Sequence, residues 1–282
     1  MKCAFAAGLV LLGLAGSVHA SVFYGVTDSG LVTIDTSSHA VTTVGTLHAG
    51  ATNLSLIADC EFDGSGNLIA MRQGSDFSGF PPTPLNQAFQ VNTATASVVQ
   101  LSSFGTAAIF NSEAYSTTLG QMLSVDSNSG KLGTINFAAS TFTPLYAVKH
   151  GLPGANRMDA LALAPNGTLY GVWNGDTGLA GGFDYRLVQY NLVTGTATQI
   201  GAIGTANVDR FTSLRFDASG TAYTVNSVTG TVETINLATG AGTPVFTSAS
   251  LIGTSGLALQ VPAPATVGLL GLVGLAAVRR RR

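Results

Sequence analysis

Three carboxylates stand at matching places in successive stretches of this chain. Asp59, Glu113 and Asp159 each fall near the start of a short apolar run: LIADCEF, SEAYST and MDALAL. If those runs are the first strands of repeated β-units, they line a common axis. Acids from three units then converge at one mouth of a channel and can hold a divalent cation such as calcium, because hard cations take oxygen ligands. The segment Asp59-Cys60-Glu61-Phe62-Asp63-Gly64 adds the D-x-E-x-D-G opening of a calcium loop, but the bidentate acid expected near Ala70 is missing. Its shape recurs in Arg215–Gly220 and in Ala162–Gly167, so it reads first as an ordinary strand-turn of a repeat.

A second constellation lies in two long segments, Arg72 to Gln87 (RQGSDFSGFPPTPLNQ) and Trp173 to Arg186 (WNGDTGLAGGFDYR). They hold Phe77, Phe80, Trp173, Phe183 and Tyr185 beside Asp76, Asp176 and Asp184. Aromatic rings stack on a sugar face, and carboxylates accept its hydroxyl protons. Long loops on a rigid scaffold are where binding residues collect. The plainer reading is that the same rings pin down loops that would otherwise flap.

Other chemistries lack their residues. His39, His48 and His150 have no zinc-ligand spacing. There is no G-x-S-x-G elbow and no phosphate loop. Cys60 stands where other units carry Leu161 and Leu214, so it reads as a small buried residue and not a nucleophile. No catalytic residue is assigned, and calcium is the one cofactor the pattern admits.

The elements that position these residues repeat. A strand pair built around a small residue recurs as VFYGV (Val22), NLIAM (Asn67), QMLSV (Gln121), TLYGV (Thr168) and TAYTV (Thr221). A second hairpin follows each, its first strand ending at Asp35, Asn92, Asn136, Asn191 or Asn236. Asp and Asn suit that corner because their side chains bond the backbone two residues on. Alternating apolar runs punctuated by Gly, Asn and Asp are an all-β signature. Four short strands per unit match a propeller blade. The first unit lacks its first strand, and the missing piece stands at the other end as Ser255–Gln260. A five-bladed β-propeller over 21–260, closed by that C-terminal strand, is therefore predicted. Closure would remove two exposed sheet edges. A count of six or seven blades and an open β-solenoid are the alternatives. The units lack the WD dipeptide.

Both ends of the chain differ from this body. Lys2, the apolar run Ala4–Gly16 and Val18-His19-Ala20 read as a signal peptide over 1–20, cleaved between Ala20 and Ser21, with no lipobox cysteine. At the other end Val261-Pro262-Ala263-Pro264 leads into an apolar stretch and then Arg279, Arg280, Arg281 and Arg282. As a helix, Ala265–Val278 would reach roughly 21 Å against a hydrocarbon core of roughly 30 Å, short for a permanent span. The arginines would stay cytoplasmic by the positive-inside rule. Between the ends, seven Lys and Arg face fourteen Asp and Glu, a formal charge of −7. That balance argues against nucleic acid and anionic lipid as partners. The body keeps only Cys60, so it has no internal disulfide.

The tail over 261–282 resembles the PEP-CTERM sorting domain of exported bacterial proteins, with Ala263 in place of the usual glutamate. The resemblance implies short C-terminal hydrophobic helix, processing by signal peptidase and an exosortase-like enzyme, and membrane contact only through the tail before processing. It also implies a place in the cell envelope, on the outer surface or in the extracellular polysaccharide matrix of a Gram-negative bacterium. The repeats are similar to generic propeller repeats of bacterial exported proteins. Together these features imply a non-enzymatic, matrix- or glycan-associated surface protein. The competing class is a propeller hydrolase or lyase with a metal in its central channel.

Overall fold

The computed structural model describes residues 21–28, 30–76, 83–105, 108–146, 151–152, 158–175, 184–206 and 208–260. The expected signal segment and sorting tail, with their helices, lie outside the described residues, as do Phe77, Phe80, Asp176 and Phe183.

The strands fall into five antiparallel four-stranded sheets. The first holds Val22–Thr27 (β1), Gly30–Asp35 (β2) and Ala40–Gly45 (β3). After a small hairpin of His48–Ala49 (β4) and Thr52–Asn53 (β5), the second is Ile57–Phe62 (β6), Leu68–Arg72 (β7), Gln87–Val91 (β10) and Val98–Ser103 (β11). Between β7 and β10 a two-strand ribbon pairs Ser75–Asp76 (β8) with Thr83–Pro84 (β9). The third is Phe110–Ser116 (β12), Gln121–Asp126 (β13), Lys131–Asn136 (β14) and Thr141–Pro144 (β15). The fourth is Met158–Leu163 (β16), Leu169–Gly175 (β17), Asp184–Tyr190 (β18) and Ala197–Ala202 (β19). The fifth is Arg215–Phe216 (β20), Ala222–Asn226 (β21), Thr231–Ile235 (β22) and Gly242–Thr247 (β23).

Gly256–Leu259 (β24) completes the first sheet, in the order β24-β1-β2-β3. It pairs antiparallel with β1, Phe23 opposite Leu259 and Val26 opposite Gly256. The innermost strands β24, β6, β12, β16 and β20 touch one another in a closed cycle. The chain is a five-bladed β-propeller with the expected C-terminal closure.

Its packing follows from the strand sequences. The second strands β1, β7, β13, β17 and β21 are buried at nearly every position, because each blade is covered on both faces by its neighbours. One apolar cluster fills each of the five gaps. Phe23, Val32, Val225 and Leu257 join the first and fifth blades, while Tyr24, Val26, Cys60 and Leu68 join the first and second. The cluster of Met71, Phe104, Phe110 and Met122 joins the second and third blades. Leu123, Leu132, Leu161 and Trp173 join the third and fourth, and Val172, Tyr185, Phe211 and Leu214 the fourth and fifth. The outermost strands β3, β19 and β23 are largely exposed, and their Thr-rich sequences match that position.

The corner residues take their expected part. Asp35 Oδ1 accepts from the backbone N–H of Ser37 (2.8 Å), Asn92 from Ala94 (2.9 Å), Asn191 from Val193 (2.8 Å) and Asn236 from Ala238 (2.9 Å). Asn136 accepts from Ala139 (3.0 Å). Asp63 likewise accepts from Ser65 and Asn67 (2.9 and 2.8 Å), so D-x-E-x-D-G is a turn of the repeat. At the closure Gly256 lies against blade 2 so tightly that a Cβ there would sit 2.6 Å from the Cys60 nitrogen and 2.7 Å from the Asp59 Cα.

Candidate functional site at the channel

The three candidate acids all lie on inner strands, and all are buried. They do not form one ring. Each of these three inner strands carries one extra residue near its start: between Ile57 and Asp59, between Phe110 and Glu113, and between Met158 and Ala160. A bulge re-aims the side chains that follow it. Asp159 is therefore the extra residue itself, Asp59 pairs with Met71, and Glu113 pairs with Ser124, one step further along its blade. A one-residue slip turns a strand side chain to the other face. Among the described residues no three His, Cys, Asp or Glu side chains are placed to hold a metal ion together. This corrects the expectation that Asp59, Glu113 and Asp159 converge on a cation.

The cation at the axis belongs to the chain. Arg215, at the start of β20, is 3 % exposed, and its guanidinium crosses to blade 2. Its Nη2 donates to Asp59 Oδ1 and Oδ2 (3.2 and 3.1 Å) and to the Cys60 carbonyl (2.5 Å). Nη1 donates to the carbonyls of Leu161 and Leu214 (2.5 and 2.6 Å), and Nε lies 3.1 Å from Glu61 Oε2. One side chain thus ties blades 2, 4 and 5. Blade 3 joins through the Glu113 backbone N–H, which donates to Asp59 Oδ2 (3.0 Å). The fork geometry of arginine suits this many-partner role.

The acids are not equivalent electrically. Burial pushes Asp59 up to about 7, against the pull of Arg215 and of the Glu113 and Cys60 backbone N–H groups. Burial raises Glu113 well above the usual carboxylate range, and the nearby Asp59 charge adds to the rise. Neither Glu113 carboxyl oxygen has a hydrogen-bond partner. Glu113 is thus held toward its neutral form, while Asp59 faces the guanidinium. Glu61 is raised by burial and lowered by Arg215. Burial also pushes the Cys60 thiol well up, with Asp59 adding to it, which leaves the thiol unreactive.

Beside this cluster a cavity of about 240 Å3 opens at the end of the channel where the inner strands begin. Ile57, Ala58, Asn111, Asp159, Thr212 and Ser255 line it from five blades. Asp28, Gln73 and Ser227 reach it from connections between second and third strands. The described ends of the long insertions of blades 2 and 4, Asp76 and Thr83 and Gly175 and Asp184, belong to connections of that same kind and stand at the cavity's end of the propeller.

Of the aromatic residues expected to meet a ligand, Trp173 and Tyr185 are 5 % and 2 % exposed. Trp173 packs among Leu161, Leu169 and Val188. Tyr185 meets Phe211 edge-on, with centroids 6.1 Å apart. Both are part of inter-blade packing and offer no face to solvent, which corrects their placement among ligand-stacking residues. At the base of the same insertion Asp184 is paired to Arg186, Nη2 to Oδ2 at 2.5 Å.

Sequence reasoning did not find Arg215. Its signal was present: TSLRF puts a charge inside an inner strand whose counterparts are apolar or acidic.

The fold and this axis define a five-bladed propeller with a charge-locked channel. No family model matches the chain, and no curated protein matches it. Among solved structures it is similar to a chain of a nidogen–laminin complex, with a TM-score of 0.53, 10 % identity and coverage of 86 % of this chain and 98 % of that one. A protein of unknown function from Bacteroides caccae aligns at a TM-score of 0.48 and 11 % identity, over 86 % of this chain and 99 % of that one. Virginiamycin B lyase from Staphylococcus aureus aligns at 0.43 and 11 %, over 87 % and 71 %. At such identities the first likeness shows the fold alone.

Proposed function

We propose that this chain is an exported, non-enzymatic propeller of the bacterial cell surface, sorted through its C-terminal tail and associated with matrix polysaccharide. The observation that carries the binding part is one of placement. The polar cavity and the described ends of both long insertions share one face of the ring, and binding residues gather on such loops. The paired end signals, Ala20-Ser21 and Val261–Arg282, support export and processing by signal peptidase and an exosortase-like enzyme. The acidic body fits a neutral or cationic partner better than an anionic one.

Expression of the full chain and of a chain ending at Gln260 tests the sorting reading by cell fractionation and intact mass. The full chain should reach the surface fraction as a product lacking its tail residues, and the shortened one should accumulate elsewhere. Identical location of both, with the tail retained in the longer one, overturns it. The polysaccharide reading is tested with residues 21–260 on a glycan array, where a blank array counts against it.

A further inference from the structure

The chain enters and leaves the ring at one end, and that end is not the mouth. β24 begins at Gly256, opposite Val26, and ends at Leu259, opposite Phe23. The Gln260 N–H then donates to the Val22 carbonyl (3.1 Å), and the Thr36 N–H to the Ser21 carbonyl (3.3 Å). The mouth lies where the inner strands begin, beside Ser255. Ser21 and Gln260 therefore stand together on the opposite face, among the turns that follow the first and third strands of each blade. β24 is the innermost strand of its blade, so the chain leaves close to the axis.

Only Val261-Pro262-Ala263-Pro264 separates Gln260 from the apolar stretch that begins at Ala265. Four residues reach at most about 14 Å, even fully extended. Turning the mouth onto a membrane entered by that stretch takes a longer path. The link would have to pass from β24 across β1 and β2 to β3, roughly 14 Å at about 4.8 Å per strand, and then along the blade. A strand as long as the six-residue β1 adds roughly 20 Å to that path. The link covers less than half of it. Adhesion does not set the orientation instead. The charged side chains of the described turns on the exit face are Asp35, Asp63 and Asp217, and acids do not hold an anionic bilayer. We propose that the protein, while its tail holds it in a membrane, keeps its exit face toward the lipid and presents the channel mouth outward. The mouth then meets a partner that arrives from the aqueous side, such as a hydrated polymer, and not a lipid headgroup of the same bilayer. This orientation rests on the tail entering a membrane, as proposed above.

Single cysteines on the two faces test this in the chain from Ser21 to Arg282, reconstituted in vesicles of phosphatidylcholine and phosphatidylglycerol. Val193 (88 % exposed) lies in a turn of the exit face and Val228 (50 % exposed) in a turn at the mouth, while the buried Cys60 escapes labelling. Energy transfer to a lipid-bound acceptor should be at least twofold more efficient from a dye on Val193→Cys than from one on Val228→Cys. Leu119→Cys on the exit face and Ile252→Cys at the mouth repeat the comparison if either first variant does not fold. Inserting about twenty Gly and Ser residues after Gln260 adds roughly 25 Å of flexible reach and should level the two signals. Equal transfer without that spacer, or stronger transfer from the mouth, overturns the orientation. Residues 21–260 with a histidine tag directly after Gln260, held on nickel-chelating vesicles, separate the orientation from the tail reading. If the native tail leaves the protein off the vesicles, the tail reading falls. The tagged chain then decides the geometry: an excess from Val193→Cys supports it, and level signals overturn it.

Discussion

Between blades the contacts are apolar and interchangeable, whereas at the axis they are charged and unique. The gaps are filled by residues such as Phe110, Val172 and Leu257, which are 1 % exposed or less and ask only to be kept from water. Fully burying such a side chain is worth about 1.5–3 kcal/mol. A volume-conserving swap there usually costs under about 1.5 kcal/mol. Asp59, Glu113 and Arg215 are as deeply buried, yet each takes its value from particular partners. The difference teaches that the ring is held shut by packing, and that the axis sets which blades meet and under what conditions.

The most severe way to break that arrangement is to remove the closure. A chain ending at Thr254 lacks β24, so β1 loses its inner partner and blade 2 loses the strand that lies against Asp59 and Cys60. Both exposed edges then become templates for aggregation. Compared with a chain ending at Gln260, it should lose cooperative thermal unfolding. Retention of a sharp transition within a few degrees would mean that the wheel does not depend on its closing strand.

Next comes the central guanidinium. Arg215→Met leaves Asp59 and Glu61 buried with no cation, and strips the carbonyls of Cys60, Leu161 and Leu214 of a donor. Removing one partner of a buried pair costs about 3–5 kcal/mol. Denaturant unfolding should show a loss of that order. Combining the change with Asp59→Asn and Glu61→Gln should recover much of it, because neutral partners carry no unpaired charge. A single-variant loss below about 1 kcal/mol would show that the axis is not held by this pair.

Much of the wheel was legible beforehand. The blade count, the five corner residues and the C-terminal closure all follow from periodicity and turn chemistry, which are local properties of the chain. The axis was not legible, for a specific reason. Asp59, Glu113 and Asp159 look equivalent along the sequence, but they stand at three different registers beside the one-residue bulges of their strands, and a one-residue slip decides which way a side chain faces. Trp173 and Tyr185 were misplaced for a related reason. Each sits at the edge of a long insertion, yet β17 and β18 extend to Gly175 and back from Asp184, so both rings fall within the strands and face a blade gap.

The two regions also separate by pH, to which apolar packing is indifferent. Asp59, Glu61 and Glu113 all have folded-state values raised above their unfolded ones, mainly by burial. Such groups bind more protons folded than unfolded once the pH passes about 4, so stability falls as pH rises. The loss from Asp59 is complete near its folded value of about 7. Glu113, facing Asp59, Glu61 and Arg215, is raised in the same direction, well above the usual carboxylate range. Each carboxyl still protonated costs about 1.4 kcal/mol per pH unit in this window. Asp35 acts in the opposite sense. The Ser37 hydroxyl, followed by the Ser38 and Ser37 backbone N–H groups, holds its carboxyl down at about 2, so its contribution is lost only as pH falls below about 4. The stability maximum should therefore lie near pH 4–5. Thermal melting at pH 8 should come below that at pH 5 by roughly 5–10 °C. Glu113→Gln keeps the shape and removes the proton, so it should melt higher than the parent at pH 8 and flatten the slope between pH 5 and 8. A parent protein whose melting is level across that range would show that the buried acids titrate alike in both states, and that the axis is no more sensitive to protons than the gaps between blades.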